Sequence, residues 1–482
     1  MKKILVVKII YCLLSVSSFA QIGEQKILPS DGGVKDNFGM SVSISGDYAM
    51  VGSPFNNDSV GAVYVFRRDG TVWLETQKLI ASDGVKGDMF GGMIGSISIS
   101  GNYAIIGAPN AYISKGTAYI FKREGINWIE KQKLQPADLK DSSWFGTSVS
   151  ISDSFAVIGT TQNWYSGSAY IFRKEEDSWI EKQKLISSDS VGGSWFGASV
   201  SIYKDNIIIG APGENFIRGS AYIFKREANA WIEEQKITAS DGAPLNYFGF
   251  AVSMFGDYAV IGAIGARRAY LFKKENTYWI EKQKLTPSDG SYGKDYFGAS
   301  VSIWQDYVVI GVPGDDSSSG SAYIFNSDGI SWIERSKLIA TDRIKNDIFG
   351  VSVSIAENDL IVGVAGDDDN GENSGSAYIY TNFVVGVEND ESEIPLSFSL
   401  DQNYPNPFNP STTIRYSIPQ YSNVVIKVYD VLGNEIETLV SEDKSVGTYE
   451  ITWYAQNLPS GIYFYQLKSE SFVETKKMLL LK

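Results

Sequence analysis

Short runs in which apolar residues alternate with small polar ones recur along most of the chain. The unit that begins at Phe196 shows the pattern: Ser199-Val200-Ser201-Ile202, a turn at Lys204-Asp205-Asn206, Ile207-Ile208-Ile209-Gly210-Ala211-Pro212, a loop, Ser220-Ala221-Tyr222-Ile223-Phe224, and finally Trp231-Ile232-Glu233-Glu234-Gln235-Lys236-Ile237. Period-two alternation, β-branched and aromatic enrichment and Gly/Asn/Asp/Pro punctuation predict four strands per unit. Phe-Gly marks the phase at Phe38, Phe90, Phe145, Phe196, Phe248, Phe297 and Phe349, with successive phenylalanines 52, 55, 51, 52, 49 and 52 residues apart. Four strands in about 50 residues make one propeller blade. Seven such units over residues 21–382 predict an all-β, seven-bladed β-propeller.

The seventh unit stops at Tyr378-Ile379-Tyr380 without a Trp-Ile-Glu run, while Glu24-Gln25-Lys26-Ile27-Leu28 near the N-terminus matches the second half of that run. An N-terminal strand is therefore expected to complete the last blade and leave the ring without free edges. The tryptophans at Trp73, Trp128, Trp179, Trp231, Trp279 and Trp332 fall in the outermost strand and read as packing residues. Carboxylates that recur in phase, such as Glu130, Glu181, Glu233 and Glu281, read as a solvated strand face rather than a catalytic pair.

Beyond a charged linker at residues 383–395, the pattern changes. Strands are expected at Val424–Tyr429, 447–453 and 461–467, around the strand-poor Tyr404-Pro405-Asn406-Pro407-Phe408-Asn409-Pro410 and the turn Leu432-Gly433-Asn434. Residues 396–482 thus read as a small Ig-like sandwich. At the other end, Met1-Lys2-Lys3, an apolar run from Ile4 to about Leu14 and Ser18-Phe19-Ala20 read as a signal peptide over residues 1–20. No other segment has the character of a membrane span, so none is expected in the mature chain.

Composition narrows the chemistry. Histidine is absent, which excludes Ser-His-Asp and Cys-His catalysis and every imidazole metal site. Cys12, the one cysteine, lies within the signal peptide, so no disulfide or thiol nucleophile is expected afterwards. Removal of residues 1–20 leaves 39 basic against 56 acidic residues, which argues against nucleic acid as a partner.

The seven Phe-Gly units, with Gly107-Ala108-Pro109 and Gly210-Ala211-Pro212 ending the second strand, resemble the FG-GAP repeat of integrin α-chain propellers. Gly52-Ser53-Pro54 and Gly311-Val312-Pro313 are variants, and Gly159, Gly262 and Gly363 keep only the glycine. The resemblance implies calcium loops between the first two strands of some blades, yet here those are bare turns such as Ser45-Gly46-Asp47-Tyr48. No cofactor is expected. Calcium is left open only at Gly366-Asp367-Asp368-Asp369-Asn370-Gly371, where Asp367, Asp368 and Asp369 are weak metal candidates with the wrong ligand spacing.

From Asn403 onward, Tyr-Pro-Asn-Pro-Phe-Asn-Pro, the Val-Tyr-Asp-Val-Leu-Gly run from Val428, Gly461-Ile462-Tyr463-Phe464-Tyr465 and the ending Lys476-Lys477-Met478-Leu479-Leu480-Leu481-Lys482 resemble the C-terminal sorting domain of the type IX secretion system. That resemblance implies export across both membranes of a Gram-negative bacterium, with the secretion machinery as partner of residues 396–482. Family geometry places the loops after the second strand on the face of those preceding Phe-Gly. Their irregular members, Tyr112, Trp164, Tyr165, Phe216, Asp315 and Asp316, are the candidate ligand-binding residues for an extracellular glycan or protein. A binding or adhesion role leads. A carboxylate enzyme acting on polysaccharide and a structural surface component remain as alternatives.

Overall fold

The computed structural model describes residues 23–161, 166–189, 192–290, 295–381, 398–419, 422–444, 447–456, 458–469 and 472–481. The expected signal peptide and linker lie outside them. Residues 1–386 and 387–482 contribute to two compact units.

In the first unit, seven four-stranded antiparallel sheets follow one another as blades. The fourth blade pairs Ser199–Tyr203, Asn206–Ala211, Ser220–Glu227 and Ala230–Ile237 in sequence order. The seventh uses Phe349–Ala356, Asp359–Val364 and Ser376–Thr381, and its outer strand is Gly23–Ile27 from the other end of the chain. Antiparallel pairing runs from Gly23 opposite Thr381 to Ile27 opposite Ala377, so the ring closes as expected.

Three interactions repeat between neighbouring blades and account for the sequence pattern. Around the axis, the second serine of each inner Ser-Val-Ser-Ile type of run accepts a backbone N–H from the next blade: Ser150 Oγ from Ile202 at 3.1 Å, Ser201 from Met254 at 3.2 Å, and Ser354 from Ile44 at 3.2 Å across the closure. Midway out, each Phe-Gly phenylalanine is fully or almost fully buried and packs, edge-on or tilted, against an aromatic ring of its own third strand, as Phe196 meets Tyr222 and Phe224 edge-on at 5.3 and 6.1 Å. The adjoining glycine lies against the second strand of the preceding blade: a Cβ on Gly363 would run into the carbonyl oxygen of Gly39. This explains why the second-strand glycine persists where Ala-Pro does not.

At the rim, glutamine side chains act as short pieces of β-ladder. Gln77 Nε2 donates to Trp128 O at 2.8 Å and Gln77 Oε1 accepts from Trp128 N at 2.8 Å. The same pair of bonds joins Gln132 to Trp179, Gln183 to Trp231, Gln235 to Trp279 and Gln283 to Trp332. Gln25 makes it to Trp73 across the closure, at 2.8 and 2.7 Å. From the sixth blade to the seventh, the glutamine position is Ser336, and the tryptophan position falls at residue 21, outside the described residues. The indoles are buried, consistent with a packing role.

The second unit is a β-sandwich. One sheet contains Ser399–Leu400, Ser411–Ile418 and Gly447–Tyr454; the other runs Glu435–Lys444, Ser422–Tyr429, Gly461–Ser469, Phe472–Leu480. Their inner faces bury Ile414, Trp453, Tyr465 and Met478. The proline-rich segment forms no strand, but anchors its Phe408 against Trp453 and exchanges backbone bonds with Leu479 and Leu481.

If the closure is equivalent to the internal boundaries, Gln25→Ala and Gln77→Ala should each destabilise the propeller by about 1–3 kcal/mol, because each removes two hydrogen bonds and leaves a tryptophan backbone N–H unpaired. Guanidinium unfolding of the two variants checks this. A silent Gln25→Ala beside a costly Gln77→Ala would contradict the equivalence.

Candidate functional site

The linker entering each blade is held down by that blade's outer strands. In the fourth blade, Ser188 donates its N–H and hydroxyl to Glu233 at 2.9 and 2.7 Å, and Asp189 accepts from Tyr222 at 2.6 Å and from Lys236 at 2.5 Å. The Asp–Tyr–Lys cluster recurs as Asp31 with Tyr64 and Lys78, and as Asp138 with Tyr170 and Lys184. Glu130 and Glu281 hold Ser82 and Ser240 in the same way, so they are linker clamps rather than the solvated face expected from sequence. For Glu181 the equivalent linker position is Ala137, which has no hydroxyl to donate, and burial followed by the charge of Asp138 raises its pKa.

Fixed there, the linkers interlock with the loops that follow the second strands. Trp144, Tyr247 and Ile348 each donate a backbone N–H at 2.9 Å to the preceding blade's loop, at Ser114, Ile217 and Ser318. Gly213 donates in turn to Ser194 of the linker on its other side. The two loop sets therefore share one face, as the family resemblance implies.

At the centre of this face the channel opens into a cavity of about 520 Å³. Its lower wall is the ring of inner-strand valines, including Val42, Val149, Val200 and Val301, and its rim carries Met40, Met93, Trp144, Trp195 and Phe250. The residue before each Phe-Gly phenylalanine is left-handed without being glycine: Asn37, Met89, Trp144, Trp195, Tyr247, Tyr296 and Ile348 have φ between 51° and 59°. Such backbone costs on the order of 1–2 kcal/mol per residue and persists only where the surroundings over-determine it. Trp195 and Tyr247 stack at 6.4 Å. Farther out, Val34, Val85, Phe216, Leu245 and Ile344 are exposed apolar loop tips, Phe216 at 83%.

Among the candidates from sequence, Phe216 stands in solvent next to Leu245, whose N–H it accepts. Asp316 is exposed and pairs with Arg343 at 3.1 Å. Asp315 is 7% exposed and is held by Ser321 and Lys337, both at 2.7 Å, so its carboxylate is a support for the loop. Trp164, Tyr165 and the Tyr112 side chain lie outside what the structure describes. Sequence reasoning missed the rim residues. A signal was present for Met93: the 55-residue spacing after Phe90 reflects extra residues between Gly91 and the inner strand Ile97–Ser100.

The weak metal candidates resolve differently. Carboxylate oxygens of Asp342, Asp367 and Asp369 lie within 4.8 Å of one another. Lys26 Nζ stands between them, at 2.6, 2.7 and 2.6 Å. The ammonium of the closing strand thus takes the place a cation would need. Asp368 instead accepts the N–H of Asn373 at 2.7 Å. Burial opposes the charge on Lys26, but the three carboxylates outweigh it and hold the ammonium well above the usual lysine range. Burial likewise opposes ionisation of Asp138, Asp189, Asp241 and Asp342, and hydrogen bonds from the partner lysines and tyrosines overcome it, lowering each below 3.8.

Comparison with known proteins shows what the chain is similar to. The FG-GAP repeat family matches at residues 23–66, 73–121, 128–172, 179–224, 231–272, 279–325 and 332–380. The secretion system C-terminal sorting domain matches residues 402–481. Integrin alpha-3 of Mus musculus is 21% identical over 175 residues, which is 32% of this chain and 16% of that protein, so the chain spans about a sixth of the length of this relative. A solved structure of PorZ, an essential bacterial surface component of the type IX secretion system of Porphyromonas gingivalis, aligns over 95% of this chain and 61% of its own at 13% identity and a TM-score of 0.46.

The pH dependence follows from the clusters. The lowered carboxylates contribute stability that is present above about pH 3.8 and is lost as pH falls through their folded values. The raised lysines, Lys26, Lys236 and Lys337 among them, contribute stability present below 10.5 and lost as pH rises through theirs. Denaturant unfolding should therefore show a plateau between about pH 5 and 10. Lys26→Met should cost about 3 kcal/mol at neutral pH, and much less near pH 3, where the stranded carboxylates protonate.

Proposed function

The chain belongs to the FG-GAP repeat family and is a secreted or cell-surface protein of a Gram-negative bacterium, delivered by its C-terminal sorting domain; from that premise we propose that it is a non-catalytic binding or adhesion protein. Its ligand, an extracellular glycan or protein, engages the face on which linkers and second-strand loops interlock.

One observation carries this reading. The face combines an open apolar mouth of about 520 Å³ with exposed apolar loop tips at Phe216, Leu245 and Ile344, on loops pinned from both sides. Partly apolar concavities on rigid supports are where ligands are held with little ordering cost. The competing enzyme reading loses support because Glu130, Glu233 and Glu281 already hold linker serines. Residues 1–20 act as the export signal, 21–382 as the binding ring, 383–395 as a linker, and 396–482 as the part read by the type IX secretion machinery.

A screen of the purified chain against glycans and matrix proteins, run beside a hydrolase screen, tests the function. Saturable binding without turnover is expected, and Trp164→Ala, Tyr165→Ala and Phe216→Ala together should weaken it by about tenfold or more. Turnover, or affinity indifferent to these changes, would contradict the proposal. Deleting residues 396–482 should leave the propeller in the periplasm; its appearance in the medium would remove the sorting role.

A further inference from the structure

The opposite mouth of the channel differs from the face described above. There the inner strands end around a polar cavity of about 570 Å³. The seven blades are alike along most of the inner strand, but at its last position six of them divide into two arcs, with Ala356 of the seventh between them. Blades one to three end in Ser45, Ser100 and Ser152, whereas blades four to six end in Tyr203, Phe255 and Trp304. The aromatics form a continuous half-buried row, with centroids 4.8 Å apart from Tyr203 to Phe255 and 4.6 Å from Phe255 to Trp304.

Two residues deeper, on the same side of each strand, lies a ring of hydroxyls: Ser43, Ser98, Ser150, Ser253, Ser302 and Ser354 line the cavity. Each oxygen accepts the N–H of the next blade, at 3.1 or 3.2 Å. Each O–H proton is left without a protein acceptor among the described residues. A hydroxyl can accept and donate at once, so the ring presents unused donors into the channel. Ser45 and Ser100 add hydroxyls that have no protein partner among the described residues. Two cations and two acids line the mouth and balance: Arg226 pairs with Asp205 at 2.5 Å, Lys204 lies over the outer part of the row with its Nζ 5.2 Å from the Tyr203 ring centre, and Asp153 stands on the serine arc.

An aromatic shelf facing a ring of donors calls for a ligand that is apolar on one face and rich in acceptors around its edge. A neutral pyranose has that character: its C–H face packs on aromatic rings, and its oxygens take hydrogen bonds in the ring plane. We infer that this mouth is a second binding site, for the end of a neutral oligosaccharide, with Tyr203, Phe255 and Trp304 as the stacking row and the inner-strand serines as donors. It is distinct from the site on the opposite face and does not depend on it.

The full chain should be titrated with cellotriose, maltotriose, mannotriose and triacetylchitotriose, following tryptophan fluorescence and heat. At least one should bind saturably below about 10 mM. Trp304→Ala should then weaken binding by about tenfold or more. Ser100→Trp, which fills the cavity from the other arc without touching the row, should abolish it, while Phe216→Ala should leave it unchanged. Equal melting temperatures separate these effects from misfolding, and Ser100→Trp keeps the test alive should Trp304→Ala fail to fold. No saturation with any of the four sugars, binding indifferent to both channel variants, or saturation by inorganic sulfate or an unrelated peptide in their place would overturn the inference.

Discussion

A four-stranded blade with two apolar faces buries them only against other blades, and a row of blades leaves two such faces open unless it closes on itself. In this chain closure rests on five residues, Gly23–Ile27, paired with residues 377–381 across 350 or more positions of sequence. Two side chains on that strand make the join resemble every other. Gln25 continues the rim ladder onto Trp73, and Lys26 supplies the cation that Asp342 requires in the seventh Asp–Tyr–Lys cluster. The cost of ordering a chain terminus is offset because the strand fills a place the other blades have already shaped.

Much of this was legible because repetition makes weak signals strong. Phe-Gly, the inner Ser-Val-Ser-Ile type of runs and the isolated Gly159, Gly262 and Gly363 all sit where blades touch, so the same steric demand recurs in each copy. The Asp–Tyr–Lys and Glu–Ser clusters were equally periodic in sequence but were not recognised. Their members lie up to about fifty residues apart, and only the return of each linker over its own blade's outer strands brings Asp189 to Tyr222 and Lys236. Periodicity says that a residue is needed, not what it touches. In the sandwich, Glu435–Lys444 and Phe472–Leu480 were missed because their alternation is diluted by charged residues, and Ser411–Ile418 because its buried face begins with the polar Thr412.

The sites were legible to a different degree. A residue that supports the ring repeats, so residues that serve a ligand must appear as departures from the repeat. Phe216 and Asp315 were both chosen on that basis; Phe216 stands exposed, whereas the acidity of Asp315 serves Lys337. The rim residues Trp144, Trp195 and Phe250 were overlooked because they adjoin the Phe-Gly motif and were absorbed into it. Closure gives the ring two mouths built from the two ends of the same seven strands, one lined by valine and aromatic side chains, the other by serines and an aromatic row. A rigid ring can keep both shapes while its loops vary.

The closed ring depends on the N-terminal strand being an integral part of the last blade. Native-state hydrogen exchange on the full chain measures this directly. The hydrogen-bonded amides of Gly23–Ile27 and of Ser376–Thr381 should be protected to the same degree as those of the outer strand Val72–Leu79, and should open only with the whole ring. Rapid exchange at Gly23–Ile27 while the other blades stay protected would show that the ring is held shut by something else.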